Sequence, residues 1–151
     1  MRILFLDDDP KRALAFADTF PEAVWVTTAE ECLHRLGEPW DEVHLDHDLG
    51  GEAFVDHDRD DCGMAVVRWL SEELRDHLLL TRFFIHTHNE NAACIMALHL
   101  EVMGYLVKVQ PFGRRAFTPR ARLVDVPKRQ VHWGRRIVDW LIGRSMPLRI
   151  F

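Results

Sequence analysis

What this chain lacks narrows its chemistry first. Three cysteines in 151 residues, Cys32, Cys62 and Cys94, are odd in number and widely spaced. They make neither a disulfide framework nor a C-x-x-C metal motif, so a reduced, cytoplasmic protein is expected. No apolar run has the length of a membrane span, and no secretory signal stands before Met1-Arg2-Ile3, so no membrane partner is expected. Neither G-x-x-x-x-G-K nor G-x-G-x-x-G occurs, which removes the usual cradles for nucleoside triphosphates and dinucleotides. A G-x-S-x-G nucleophile elbow is absent. So are His-x-Thr or His-x-Ser pairs, because His86-Thr87-His88 has the wrong spacing.

What is present fits one soluble domain with a proper core. Apolar residues make up 48% and charged residues 28%, ordinary values for a globular chain of this length. The net charge of −5 conceals a division. Residues 1–112 hold 22 acids against 9 Lys or Arg, while residues 113–151 hold 2 against 10. Two readings of the basic stretch stand: it packs on the acidic body, or it contacts nucleic acid or an acidic protein through Arg114, Arg115, Arg120, Arg122, Lys128 and Arg129. The expected division is residues 1–112 as an α/β domain and 113–151 as a basic extension packed on it.

Strand and helix signals alternate along the chain. Residues 2–7 read as a buried parallel strand. Pro10 suits a first helical turn, with Ala13, Leu14, Phe16, Ala17 and Phe20 following at helical spacing. Ala23 to Thr27 is a second strand, and Thr28 with Glu31 forms a capping box for a helix that ends at Gly37. A third strand leads to Asp46. An acidic loop follows over 49–62, either a solvated surface or a lid, and Gly63 introduces a helix carrying Met64, Val67, Leu70 and Leu74. Arg82 to Thr87 is a fourth strand. Asn89 or Asn91 caps a helix closed by Gly104, and Tyr105 to Gln110 is a fifth strand. Leu123–Val126 reads as a short strand or extended segment and Lys128–Gly143 as a last amphipathic helix. This alternation predicts right-handed βαβ units, hence a doubly wound five-stranded parallel sheet.

Acids gather where the apolar strands stop, at Asp7-Asp8-Asp9 and at Asp46-His47-Asp48-Leu49-Gly50-Gly51. In open α/β sheets that carboxyl edge is where ligands bind. Buried carboxylates need partners, so Asp7, Asp8, Asp46 and Asp48 form a candidate oxygen site for a divalent metal, Mg²⁺ or Mn²⁺. Nearby histidine would favour Mn²⁺, Zn²⁺ or Fe over Mg²⁺. The alternative is solvated strand ends beside a helix N-terminus, the reading preferred for Asp9. His47, between two carboxylates, is a general acid, a ligand or a charge-neutralising partner. His88 is expected at the carboxyl edge and His86 one step inside, as proton carriers or satisfied core histidines. Asn89 opens a helix whose free N–H groups receive a phosphate or are merely capped. Lys108 neutralises a phosphoryl oxygen or the acidic cluster.

Acids after the first strand, Asp46 after the third, Thr87 after the fourth and Lys108 in the fifth resemble a response-regulator receiver domain, whose topology is flavodoxin-like. The resemblance matches Asp7 and Asp8 to the receiver metal-binding pair, Asp46 to the phosphoacceptor and Thr87 to the hydroxyl residue that contacts the phosphoryl group. Lys108 departs from the pattern. Gln110 holds the place before Pro111-Phe112 where receivers keep lysine, and Lys108 lies two residues earlier on the same face. Ordinary receivers also lack His-Asp after the phosphoacceptor and a pair of histidines around the threonine. Leu-Phe-Leu-Asp-Asp-Asp, Leu-Asp-His-Asp-Leu-Gly, Gly-Met and Ile-His-Thr-His-Asn resemble the receiver-like family named for cyclic-phosphate processing, over about residues 2–112.

That resemblance implies a metal-dependent phosphoesterase-like protein. It would process or bind a cyclic or terminal phosphate of a nucleotide or RNA end, with His47, His88 and His86 as candidate proton carriers. Thr87, Asn89 and Lys108 are the candidate phosphate contacts. A non-catalytic nucleotide-phosphate sensor and a phosphoaspartate signalling domain are the rival expectations.

Overall fold

The structure, a computed structural model, describes residues 1–112. The expected strand at 123–126, the expected helix at 128–143 and the packing of the basic extension lie outside those residues.

Five short strands, β1 (Ile3–Leu6), β2 (Val24–Val26), β3 (Glu42–Leu45), β4 (Arg82–Ile85) and β5 (Leu106–Val109), form one parallel sheet in the order β2-β1-β3-β4-β5. This is the flavodoxin-like order, in which the chain reverses direction of winding beside β1 and leaves a crevice at the carboxyl edge between β1 and β3. Four helices cross between them: α1 (Pro10–Ala17), α2 (Ala29–Arg35), α3 (Gly63–Glu72) and α4 (Glu90–Met103). A single 3-10 turn, Asp76–Leu78, precedes β4.

Local chemistry sets these boundaries. Asp9 caps α1 by accepting from the Lys11 amide, with Pro10 at the first helical position. The Thr28–Glu31 capping box is formed at α2. Asn89, rather than Asn91, caps α4 through the Ala92 amide, and Gly104 ends it in the left-handed conformation at φ 93°.

The two faces of the sheet differ in kind. Leu4, Leu6, Val43, Leu45, Phe83 and Ile85 point to one side and pack with residues of α2, α3 and α4, including Cys32, Val67, Leu70, Met96 and Leu100. Each such side chain contributes roughly 1.5–3 kcal/mol by leaving water. The other side is aromatic and polar. Phe5 stacks on Phe16 of α1 at 4.1 Å, and His44 stacks on Phe84 at 4.6 Å. Register places Phe5, His44 and Phe84 in one row across β1, β3 and β4.

Candidate metal and phosphate site

Ladder hydrogen bonds continue one residue beyond the strands and fix the site. The Asp7 amide donates to Val26 O (3.1 Å), Asp46 to Leu6 O (2.9 Å) and His86 to Leu45 O (2.9 Å). Asp7 and Asp46 therefore stand on neighbouring strands at the carboxyl edge, and both are buried. Asp8 joins them: one oxygen from each of Asp7, Asp8 and Asp46 lies within 4.8 Å of the other two. Two of these acids, Asp8 and Asp46, line an open cavity of about 450 Å³ together with Arg12, Asp48, Gly51, Glu52 and His88, while Asp7 is fully buried. Glycines at 50 and 51 take φ of 79° and 75°, which bends the loop back so that the Gly51 amide donates to Asp8.

A side chain not singled out in the sequence occupies the middle of the cluster. Arg12 Nη2 donates to Asp7 Oδ1 at 2.7 Å and to Asp46 Oδ2 at 2.8 Å, and reaches Asp8 Oδ1 at 3.4 Å. Its Nε donates to Asp7 Oδ2 at 2.8 Å. Signal for it existed. Arginine in the first turn of a helix capped by Asp9 leans back toward the N-terminus, onto acids three to five residues earlier. The charges respond to one another. Burial pushes the Asp7 carboxyl up, against the opposing pull of Arg12. Burial and then the neighbouring Asp7 push Asp46 up to about 6, although Arg12 and the His47 amide favour its carboxylate. Burial disfavours the Arg12 cation, but its bonds to Asp7 outweigh that and raise its pKa.

The other sequence candidates divide. His88 is exposed and lines the cavity. Asp48 lines it too but stays outside the three-acid cluster. It accepts from the Phe54 and Val55 amides, each at 3.0 Å, and from His47 Nδ1 at 2.8 Å, so it holds the 49–55 loop. Phe54 is 77% exposed with φ 56°, a strained position for a bulky residue. The His47 ring is buried away from the cavity. Its Nε2 makes no regular hydrogen bond among the described residues and lies beside the Cys62 thiol. Burial disfavours the His47 cation, yet Cys62 and Asp48 outweigh it and raise the pKa.

His86 is buried on the α1 side in a chain of polar contacts. Its Nδ1 meets Gln110 O at 2.7 Å, and its Nε2 meets His44 Nδ1 at 2.6 Å. His44 Nε2 meets Glu42 at 3.1 Å, and Glu42 pairs with Arg82. Burial, then His44, drives the His86 pKa down to about 3. Thr87 is buried, and its hydroxyl accepts from the Asn89 amide at 3.1 Å. Asn89 itself caps α4. Lys108 is exposed on edge strand β5 and does not line the cavity.

Gly63, noted in the sequence only as a helix start, has a sharper role. A Cβ there would stand 2.0 Å from Asp46 O and 2.9 Å from His47 Cα. The first turn of α3 can press against the Asp46–His47 backbone only because this residue has no side chain.

A parallel sheet in the order 2-1-3-4-5 with clustered acids at its switch point defines a receiver-type domain. Residues 2–102 match the family described as the cyclic-phosphate processing Receiver domain, and the chain belongs to that family. Among solved structures it is similar to a sensor protein from Polaromonas sp. JS666, at 16% identity and TM-score 0.52, covering 93% of this chain and 97% of that one. It is also similar to the BeF3-activated N-terminal receiver domain of Klebsiella pneumoniae RstA, at 18% identity and TM-score 0.45, covering 91% and 97%. The Mn²⁺-bound response regulator Rcp1 matches at 13% identity and TM-score 0.49, covering 97% and 99%. No curated protein sequence matches.

Proposed function

We propose that the carboxyl-edge cavity binds and processes a cyclic or terminal phosphate of a nucleotide or RNA end, with Mg²⁺ or Mn²⁺ held by Asp7, Asp8 and Asp46. The observation that carries this reading is that the cluster of three carboxylates reaches, through Asp8, Asp46 and the Arg12 guanidinium, the cavity that the exposed His88 imidazole also lines. The donor set suits a hard divalent ion: it is all oxygen, and a cation already sits within it in the form of Arg12. When bound, the ion would supply Lewis-acid polarisation of a phosphoryl group.

The residues of the chain do the rest. Arg12, on the cavity wall, donates to phosphoryl oxygens. His88 carries a proton to the leaving oxygen, since its ring is the one imidazole among the described residues that lines the cavity. Asp48 positions the loop wall. His47 and His86, turned away from the cavity, support the carboxyl edge from behind rather than touch the ester.

The test is turnover of 2′,3′-cyclic, 3′,5′-cyclic and terminal nucleotide phosphates, with chelator and then with Mg²⁺ or Mn²⁺. Metal-dependent turnover is expected, reduced about 10²-fold or more in His88→Ala and abolished in Asp46→Asn. Unchanged turnover in both variants would remove the catalytic reading. A second reading, phosphorylation of Asp46 itself, is favoured by its place at the end of central strand β3 beside Asp7. It predicts a phosphoaspartate mass shift with acetyl phosphate and Mg²⁺ that Asp46→Asn lacks.

A further inference from the structure

The carboxylates of Asp7, Asp8 and Asp46 converge on one guanidinium nitrogen, which engages oxygens that a divalent ion would also use. Arg12 Nη2 lies 2.7 Å from Asp7, 2.8 Å from Asp46 and 3.4 Å from Asp8. A Mg²⁺ ion takes oxygens at about 2.0–2.1 Å. An ion bound by these same oxygens would replace the hydrogen bonds they now accept from Arg12. The cation is held from two further sides. Its Nη1 is 3.6 Å from Asp9, and its guanidinium carbon is 5.8 Å from the Phe112 ring centre.

We propose that Arg12 is a tethered cation that competes with the metal for its own site: it neutralises the acids while the ion is absent and swings into the cavity when the ion enters. This rests on the reading of Asp7, Asp8 and Asp46 as metal ligands. Three carboxylates facing one guanidinium keep a negative excess, so the cluster still attracts a divalent ion. The way out is open, because the Arg12 side chain is 29% exposed and already forms part of the cavity wall. Displaced there, it faces the space a phosphate would fill. Metal binding and phosphate binding are then coupled through one side chain. The ion releases the arginine, and the phosphate gives the arginine a new anion.

The experiment is calorimetric titration of MgCl₂ and MnCl₂ into the native protein, Arg12→Gln and Arg12→Lys, with circular dichroism to confirm folding. Arg12→Gln is expected to bind either ion at least tenfold more tightly than the native protein, and Arg12→Lys to fall between them. In the native protein, the Arg12 Nε–H resonance, protected by its bond to Asp7, is expected to shift or lose protection on saturation with Mg²⁺. That resonance decides the matter if Arg12→Gln does not fold. Metal binding to the native protein with an unmoved Arg12 signal, or equal or weaker binding by folded Arg12→Gln, overturns the competition and leaves the metal site standing. Absence of metal binding in native protein and variants overturns both.

Discussion

Asp46 and His86 draw stability in opposite directions as pH falls. Asp46 titrates near 6 in the folded chain against an ordinary 3.8, so between those values the folded state holds a proton that the unfolded state lacks. Acidification through that window therefore stabilises. His86 titrates near 3 against an ordinary 6.5, so over its window the unfolded state holds the extra proton. Acidification there destabilises, by about 1.4 kcal/mol per pH unit for one proton. The two effects oppose each other between 6 and 3.8. With chelator present, Asp46→Asn is expected to lose stability from about pH 6.5 to pH 4 more steeply than the native protein, and His86→Gln less steeply. Urea midpoints across that range check this, and equal slopes in all three proteins would refute it. The place of Asp7, Asp8, Asp46 and His88 at the carboxyl edge was legible, because an apolar run ends there in polar residues. Residue chemistry was not legible for His86 and His47, because alternation along a strand gives the side a ring points to and not what that side holds. His86 faces the aromatic layer of Phe5, Phe16 and Phe112.

Elements carry the site because their ends are fixed chemically. Loss of the Thr28 cap in Thr28→Ala is expected to cost about 1 kcal/mol, with metal binding untouched, since the Thr28 side chain bonds the Glu31 amide and none of the acids. Gly63→Ala is different in kind. The added methyl would meet the Asp46 carbonyl, so α3 or the β3 end has to move. A loss of about 1–3 kcal/mol is expected, together with weaker metal binding, read by thermal melting and calorimetry on the same samples. Capping box, left-handed Gly104 and strand order of appearance were all readable, because caps and periodicity are local. Asp48 shows what is not local. The sequence groups it with the other acids of the carboxyl edge but does not show that the amides of residues 54 and 55 fold over it and donate to both its oxygens. For Arg12 the contacts with Asp7 and Asp8 are local and readable from helix geometry, whereas the bond to Asp46, 34 residues away, is not.

At the scale of the whole molecule, an ion binding only the folded chain must stabilise it. Mn²⁺ at a hundredfold excess over its dissociation constant is expected to add about 2.7 kcal/mol. The melting temperature should rise accordingly and fall back with chelator, and no rise at any concentration would count against a metal site. No described helix is long and apolar enough to cross a membrane. The sheet order also has a consequence for how the chain is made. β2 settles beside β1, β3 takes the other side of β1, and β4 and β5 each add to the last open edge. No strand has to be inserted between two that are already paired, so assembly can follow the order of synthesis. Once β3 has left the ribosome, Asp7, Asp8 and Asp46 can already meet, before β4 and β5 are free to join the sheet. An arginine carried in the first helix is then on hand to neutralise that charge while half the domain is still to come.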